Sequence, residues 1–555
     1  MKKVSFGILQ KLLHNNSRDV IHLFAPLQGA RRDVGWVTLT TPAWWDIIKE
    51  NCGVPQIPEK RRKRAIKIVL FAINGSHAHS CLAVRCLADA LAAANFTDVT
   101  VKEATLRDRT GQVLEQLVAE NAALYGFACY IWNIEQTLAL AADLRAILPN
   151  ARIVFGGPEC SYDEARFTSL PFVDCVITGE GEEAVVTAAR AAAAGEPLPK
   201  LLCGAPDKNF AARGIHYRKG EALPPLVYYE SSRGCPFSCA FCLSSATAGV
   251  RAKTAEKTLA DLAEFEAFPG DFTVKLVDRT FNFDRERAKT IWRGLLGETY
   301  TKCYHFEVCA SLLDEESFDI LSRFPKGKVR LEIGLQSIHP ETLAAVSRHT
   351  DAAAVLAAAS RLTKSGAVHI HLDLIAGLPF ETLTGFGRSF DAAYFACDVL
   401  QLGFLKLLHG TTLRQRAAEY GITFSEKPPY TVLKTASISF EELALLHRVD
   451  DLLERLRDSG KFQNALDYLL PRRPSPFAFY CGFAEFLKAK DGRELQKIPQ
   501  RELFAHLAAY GRTFLDPGEY RGWLAALRND FAAHEVRRPP RELLGEDETK
   551  KGAEP

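Results

Sequence analysis

The strongest constraint on the fold is a rhythm of short apolar runs, each ending at a turn and giving way to helix-forming sequence. Ile66-Lys67-Ile68-Val69-Leu70-Phe71-Ala72-Ile73 opens the first series and breaks at Asn74-Gly75-Ser76. A helix with Val84, Leu87 and Leu91 on one face follows. Further runs lie at 99–106, 123–130, 152–155 and 173–177. The fourth run of the series meets Gly156-Gly157-Pro158, and the fifth meets Gly179-Glu180-Gly181-Glu182. Runs this short and apolar suit strands covered on both faces, and the alanine-rich stretches between them suit crossover helices. The pattern predicts a doubly wound, mostly parallel α/β sheet over 65–200, with its ligand at the carboxyl ends of the strands. A linker with Pro206, Gly214, Gly220, Pro224 and Pro225 spans 201–225.

A second series follows at 226–232, 272–277, 304–309, 328–334, 368–375 and 399–406, each run separated from the next by helical sequence. This predicts a partial (β/α)6 barrel of TIM type over 226–425, with its chemistry at the carboxyl ends of the strands. Residues 426–536 read as a helical carboxy-terminal domain, with Leu443, Leu445, Leu446, Val449, Leu452, Leu453 and Leu456 on an amphipathic face. The charged, proline-containing tail 537–555 predicts disorder. Residues 1–64 form an amino-terminal extension that ends in Glu59-Lys60-Arg61-Arg62-Lys63-Arg64, read as a solvated linker.

One loop carries more chemistry than any other. Just after the first strand of the second series stands Arg233-Gly234-Cys235-Pro236-Phe237-Ser238-Cys239-Ala240-Phe241-Cys242. Its CxxxCxxC spacing brings three thiolates, from Cys235, Cys239 and Cys242, into one small volume. Three is one short of a closed tetrahedral site, so an iron–sulfur cluster held here keeps one iron open to a ligand. A structural zinc is the competing reading, but zinc sites usually pair two CxxC-like halves, and no second pair occurs among the 14 cysteines. Net charge is +2 over 555 residues, which leaves no electrostatic footprint for nucleic acid or membrane. No apolar run is long enough to span a bilayer and no secretory signal is evident, so the expected location is cytoplasmic and disulfides are not expected.

The cysteine run resembles the signature of the radical S-adenosylmethionine (radical SAM) enzymes. The resemblance extends over about 226–412 through Asp278-Arg279-Thr280-Phe281-Asn282, Glu332-Ile333-Gly334-Leu335-Gln336-Ser337 and Asp373-Leu374-Ile375-Ala376-Gly377-Leu378-Pro379. It implies a [4Fe-4S] cluster on Cys235, Cys239 and Cys242. It also implies SAM bound near Phe241, Asp278, Glu332, Gln336, Ser337 and Gly377, and a 5′-deoxyadenosyl radical as the reactive species. A doubly wound domain ahead of such a barrel is similar to the cobalamin-binding radical SAM proteins. That likeness implies a Rossmann-like cobalamin-binding domain, with the corrin near Asn74, Ser80, Tyr130, Trp132, Gly156, Gly157, Gly179, Glu180 and Gly181.

The first loop departs from the usual cobalamin pattern Asp-x-His-x-x-Gly: neither His77 nor His79 has the aspartate or glycine partner. A cobalt without a histidine ligand on its lower face is therefore expected. The helical carboxy-terminal region is similar to a domain appended to uncharacterised members of the same group. The resemblance implies an enzyme acting on an unactivated carbon of a small molecule that the motifs do not specify, by methyl transfer or by radical cyclisation or rearrangement. A one-electron reductant such as flavodoxin or ferredoxin would be the partner, and nucleic acid is not expected. The alternative class is a non-catalytic sensor of SAM or cobalamin.

Overall fold

The structure is a computed structural model and describes residues 22–24, 36–38, 66–246 and 249–544. It divides into a unit of residues 1–63 and a unit of residues 64–555. In the first, His22–Phe24 and Trp36–Thr38 form an antiparallel pair. The basic run before Ala65 lies outside the described residues.

The second unit opens with six parallel strands: β1 (Ile68–Asn74), β2 (Val99–Thr105), β3 (Leu124–Ala128), β4 (Arg152–Gly156), β5 (Cys175–Gly179) and β6 (Leu201–Gly204). Their order is β2-β1-β3-β4-β5-β6. Every residue of β1 is buried because its two faces feed different cores. Val69, Phe71 and Ile73 pack with Phe127 and Phe155 on one face, and Ile68, Leu70 and Ala72 pack with Val84 and Leu91 on the other. That is why the run is apolar throughout rather than alternating.

The sixth strand was not expected. It falls at the start of the stretch read as a linker, and its residues alternate between exposed and half-buried. An edge strand of four residues with one open face leaves almost no apolar signal. Five strands are thus corrected to six.

The second sheet is also parallel: β7 (Leu226–Tyr229), β8 (Thr273–Leu276), β9 (Cys303–Val308), β10 (Val329–Gln336), β11 (His369–Ala376) and β12 (Val399–Phe404), in chain order across the sheet. Its strands do alternate. On β11, Ile370, Leu372, Leu374 and Ala376 are buried against the outer helices, while His369, His371, Asp373 and Ile375 are half-buried on the opposite, lumen face. The lumen is therefore polar.

Helices complete the chain. Of these, α1 (Phe440–Leu452) opens on a capping box made by Ser439 and Glu442. In α2 (Pro476–Lys490), Phe477 sits against Gly387 and Phe390 of the last barrel helix. The Tyr394 and Tyr480 hydroxyls meet at 3.0 Å. Lys406, just past β12, bridges antiparallel to Thr431. The neighbouring Tyr430 hydroxyl donates to Glu159 of the first domain at 2.7 Å, with both residues buried. The disorder expected for 537–555 fails at its start: Arg541–Leu543 form a 3-10 turn, with Leu543 fully buried. One leucine with a pocket to fill outweighs the polar residues around it. Residues 545–555 lie outside the described residues.

Candidate functional site

A cavity of about 1000 Å³ lies where the carboxyl ends of the first sheet face the mouth of the barrel. That is at the upper end of the ordinary range for small-molecule sites, about 300–1,000 Å³. All nine residues expected near a corrin line it: Asn74, Ser80, Tyr130, Trp132, Gly156, Gly157, Gly179, Glu180 and Gly181. The order of the sheet places β1 beside β3, the point where successive crossovers reverse, and ligands bind in the crevice at such points. Asn133 ties those two strand ends together by donating to the carbonyls of Ile73 and Ala128 at 3.1 and 3.0 Å. Just before Asn133, Tyr130 and Trp132 stack at 4.4 Å, and the Trp132 indole donates to Ile73 O at 3.0 Å.

The glycines of the cavity answer a steric demand. Gly157 has φ +117°, and a Cβ there would stand 2.5 Å from the Cys129 carbonyl oxygen. Gly179 has φ +73°, and its Cβ would stand 2.7 Å from Gly204 O. Two backbones cross at each point, so only glycine serves. A wall made of such turns is a cradle for a large, flat ligand, and the residues fit a corrin. His79 also lines the cavity, with Nδ1 2.7 Å from the Tyr228 hydroxyl and its ring stacked on that tyrosine. His77 is exposed, 4.0 Å from Asp108.

The three cysteines share one loop, and none forms a disulfide. Ala240 pins the loop from both sides: its N–H donates to Val346 O, and its carbonyl accepts from Leu413 N, each at 2.9 Å. Thr280 Oγ1 stands 3.5 Å from Cys235 Sγ, and Arg348 Nη1 donates to Cys239 Sγ at 3.7 Å. Burial pushes the Cys239 thiol up, and Arg348 pulls against it. Among the described residues, the one trio of His, Cys, Asp or Glu ligand atoms within 4.8 Å of one another is Asp491, Glu502 and His506, where Arg493 already pairs with both carboxylates. The three thiols are not gathered that closely. A single zinc, with Zn–S of about 2.3 Å, needs sulfurs about 3.8 Å apart. The donors present fit a multi-iron cluster better.

Of the residues expected near SAM, the structure brings some together and turns others away. Gln336, at φ +69°, folds its amide over Gly334, and Arg348 donates to Gly334 O from the same side. Asp373 is the register partner of Gly334 on β11. Gln336 Oε1, Arg348 Nε and Asp373 Oδ1 are all buried without a hydrogen-bond partner. Native interiors rarely leave such groups orphaned, so the trio fits a polar ligand in the lumen.

Glu332 also faces the lumen. Lys275 Nζ donates to it at 2.7 Å, and His305 Nε2 lies at 3.0 Å. Burial opposes its charge, yet His305 and Lys275 hold its carboxyl at about 2. Burial, with Glu332 and Glu307 nearby, pushes Asp373 well above the usual carboxylate range.

Asp278 is fully buried and accepts from Ser231 Oγ at 2.8 Å, tying the ends of β7 and β8. Ser337 is buried and donates to Glu381 at 2.6 Å, behind the strand end. A Cβ on Gly377 would meet Val432, Leu405 and Leu443, so that turn faces the carboxy-terminal segment. Phe241 is half-buried and packs against the barrel core. Arg348 carried no sequence signal, because only the tertiary fold brings it to Gly334. Asp373 was open to detection from the period-two alternation of β11.

Three family profiles match the chain: a B12 binding domain over 68–189, the Radical SAM superfamily over 229–393, and a protein of unknown function (DUF4080) over 418–554. The chain is 25% identical over 304 residues to the cobalamin-dependent radical SAM methyltransferase TokK of Streptomyces tokunonensis, covering 47% of this chain and 43% of that protein. It is 26% identical over 238 residues to the hopanoid C-3 methylase of Methylococcus capsulatus, covering 39% and 45%. The match thus spans less than half the length of these curated relatives. Among solved structures, the radical SAM methyltransferase TsrM from Kitasatospora setae shares the fold at a TM-score of 0.57 and 14% identity, covering 84% of this chain and 99% of that one. The cobalamin-dependent radical enzyme OxsB does so at 0.56 and 14%, covering 88% and 81%. A radical SAM domain implies a [4Fe-4S] cluster and SAM, and a B12 binding domain implies a corrin, which the donor set and the glycine cradle both fit. The chain thus carries a B12 binding domain, a radical SAM domain and a DUF4080 domain, in that order.

Proposed function

We propose that the protein is a cobalamin-dependent radical SAM methyltransferase acting on an unactivated carbon of a small molecule. The observation that carries this reading is the single cavity that joins the glycine turns of the first sheet to the barrel mouth beside the three-cysteine loop. When bound, the cluster supplies the electron that splits SAM, and the corrin carries the methyl group. Cys235, Cys239 and Cys242 would hold the cluster. Gln336, Arg348 and Asp373 would hold SAM, with their unpartnered atoms taken up by its polar groups. Asp278 and Ser337 would act behind them, by fixing the strand ends.

The turns at Gly156-Gly157 and Gly179-Glu180-Gly181, with Tyr130 and Trp132, would seat the corrin. In that arrangement the two walls enclose the substrate between methyl donor and radical source and keep solvent from a carbon radical that would otherwise react with any nearby C–H bond. The substrate and the reductant are supplied from outside the chain.

The test is anaerobic reconstitution with iron, sulfide and hydroxocobalamin, followed by reductant and SAM. Visible absorbance from both cluster and corrin is expected, with 5′-deoxyadenosine and S-adenosylhomocysteine as products. A preparation that binds no corrin, or cleaves no SAM, overturns the reading.

A further inference from the structure

One carboxylate of the corrin-side turns reaches both ends of the cysteine loop. The loop is closed at its base by a two-residue antiparallel ladder, Ser232–Arg233 with Arg251–Ala252, in which Arg233 and Arg251 are register partners. Both guanidiniums end on Glu180. Arg233 Nη1 donates to Glu180 Oε2 at 2.6 Å, and Arg251 Nη2 donates to Oε1. The backbone N–H of Asp207 donates to Oε2 as well, at 2.8 Å. Arg233 is further held by Glu182 at 2.6 Å and Glu230 at 2.8 Å.

The next residue, Gly234, has φ +96°, and a Cβ there would stand 2.1 Å from Gly249 O, so the two ends of the loop touch. Glu180, Arg233 and Arg251 all line the cavity, and only Gly234 separates Arg233 from Cys235. Glu180 itself lies between Gly179 and Gly181, two of the turn residues that face the corrin space.

We propose that Glu180 is a positioning residue through which the two cofactor sites sense each other: a corrin seated against 179–181 tightens SAM binding at the loop 235–242, and SAM tightens corrin binding in return. The proposal rests on the functional reading above. Its physical basis is that charge-assisted hydrogen bonds are short and strong, and here each oxygen of one carboxylate is held by a different guanidinium, one from each strand at the base of the loop. A ligand that settles the 179–181 turn settles Glu180, and Glu180 then settles both strands that carry the cysteine loop. Reciprocity follows, because a coupling free energy belongs to the pair of ligands and acts equally on each.

The experiment uses the full chain loaded anaerobically with its cluster. SAM affinity is read from the change in the electron paramagnetic resonance spectrum of the reduced cluster on titration, with and without hydroxocobalamin. Hydroxocobalamin affinity is read from its absorbance, with and without SAM. Coupling of about fivefold or more, equal in the two directions, is expected. In Glu180→Gln, which keeps shape and loses charge, the factor should fall below about twofold with iron content per chain unchanged. Should that variant fail to load its cluster, Arg251→Gln is read instead, with the same loss of coupling expected. Undiminished coupling in the variant that loads overturns the proposal. So does a wild-type protein that binds both ligands without mutual effect, which leaves the functional reading standing. A wild-type protein that binds no corrin overturns both.

Discussion

The first-domain wall of the central cavity and the lumen of the barrel are built from different materials. On the first-domain side the surface combines glycine turns at 156–157 and 179–181 with the paired rings of Tyr130 and Trp132 and apolar side chains such as Leu70, Val154 and Ile177. In the barrel lumen it is side chain, and ionisable: Lys275, His305, Glu307, Glu332, His371 and Asp373. The glycine-turn wall offers breadth and close approach to a large cofactor. The side-chain wall offers direction, because each polar atom there is either paired or left aimed at a ligand. One chain thus uses glycine where it must accommodate bulk and charge where it must orient.

Breaking one wall should leave the other intact, and the largest effect is expected at the cysteine loop. Cys239→Ala should remove cluster absorbance and lower 5′-deoxyadenosine formation at least about 100-fold, while hydroxocobalamin still binds. Loss of both would show that the walls are not separable. Next in size is Gly157→Val. Its side chain has no room against Cys129 O, and strain there should cost about 1–3 kcal/mol of stability in a thermal melt. Corrin affinity measured by equilibrium dialysis should fall about tenfold or more, with iron content unchanged.

Asp373→Ala should weaken SAM binding about five- to tenfold, the worth of about one hydrogen bond, without touching corrin affinity. The smallest effect is electrostatic. Burial, with His305 and His369 nearby, holds His371 at about 4, below its ordinary 6.5. A group whose folded value is depressed stays neutral in the fold and takes up its proton more readily once unfolded. Stability should therefore decline as pH falls from about 6.5 toward about 4, by at most about 1.4 kcal/mol per pH unit for this one group. His371→Gln should flatten that part of a urea-midpoint profile. An unchanged slope would assign the decline to other groups.

What could be read ahead of the structure divides along the same line. Turns were legible because Gly156-Gly157 and Gly179-Glu180-Gly181 stand as glycine clusters at the ends of apolar runs, and the cysteine spacing is local too. Facing was not. Asp278 and Ser337 do lie at strand ends, as expected, yet Asp278 turns to Ser231 and Ser337 to Glu381. The cause at Ser337 is a register shift between Gly334 and Gln336 where β10 meets β11. With Gln336 at positive φ, the irregularity folds the glutamine back over Gly334 and points the following serine outward. Arg348 acquires its place only from that crossing. The sixth strand, β6, was missed because a short, half-exposed edge does not need an apolar run.

The buried Tyr430–Glu159 bond and the bridge from Lys406 to Thr431 bear on how such a protein can be taken apart. Tyr430 falls inside the segment matched as a domain of unknown function, yet its hydroxyl satisfies a carboxylate 271 residues back along the chain, just past Gly157. A truncation placed before residue 418 would remove the hydroxyl that this buried carboxylate accepts from. The terminal quarter is thus no detachable cargo, and chimeras that exchange it among relatives must carry both halves of this contact together.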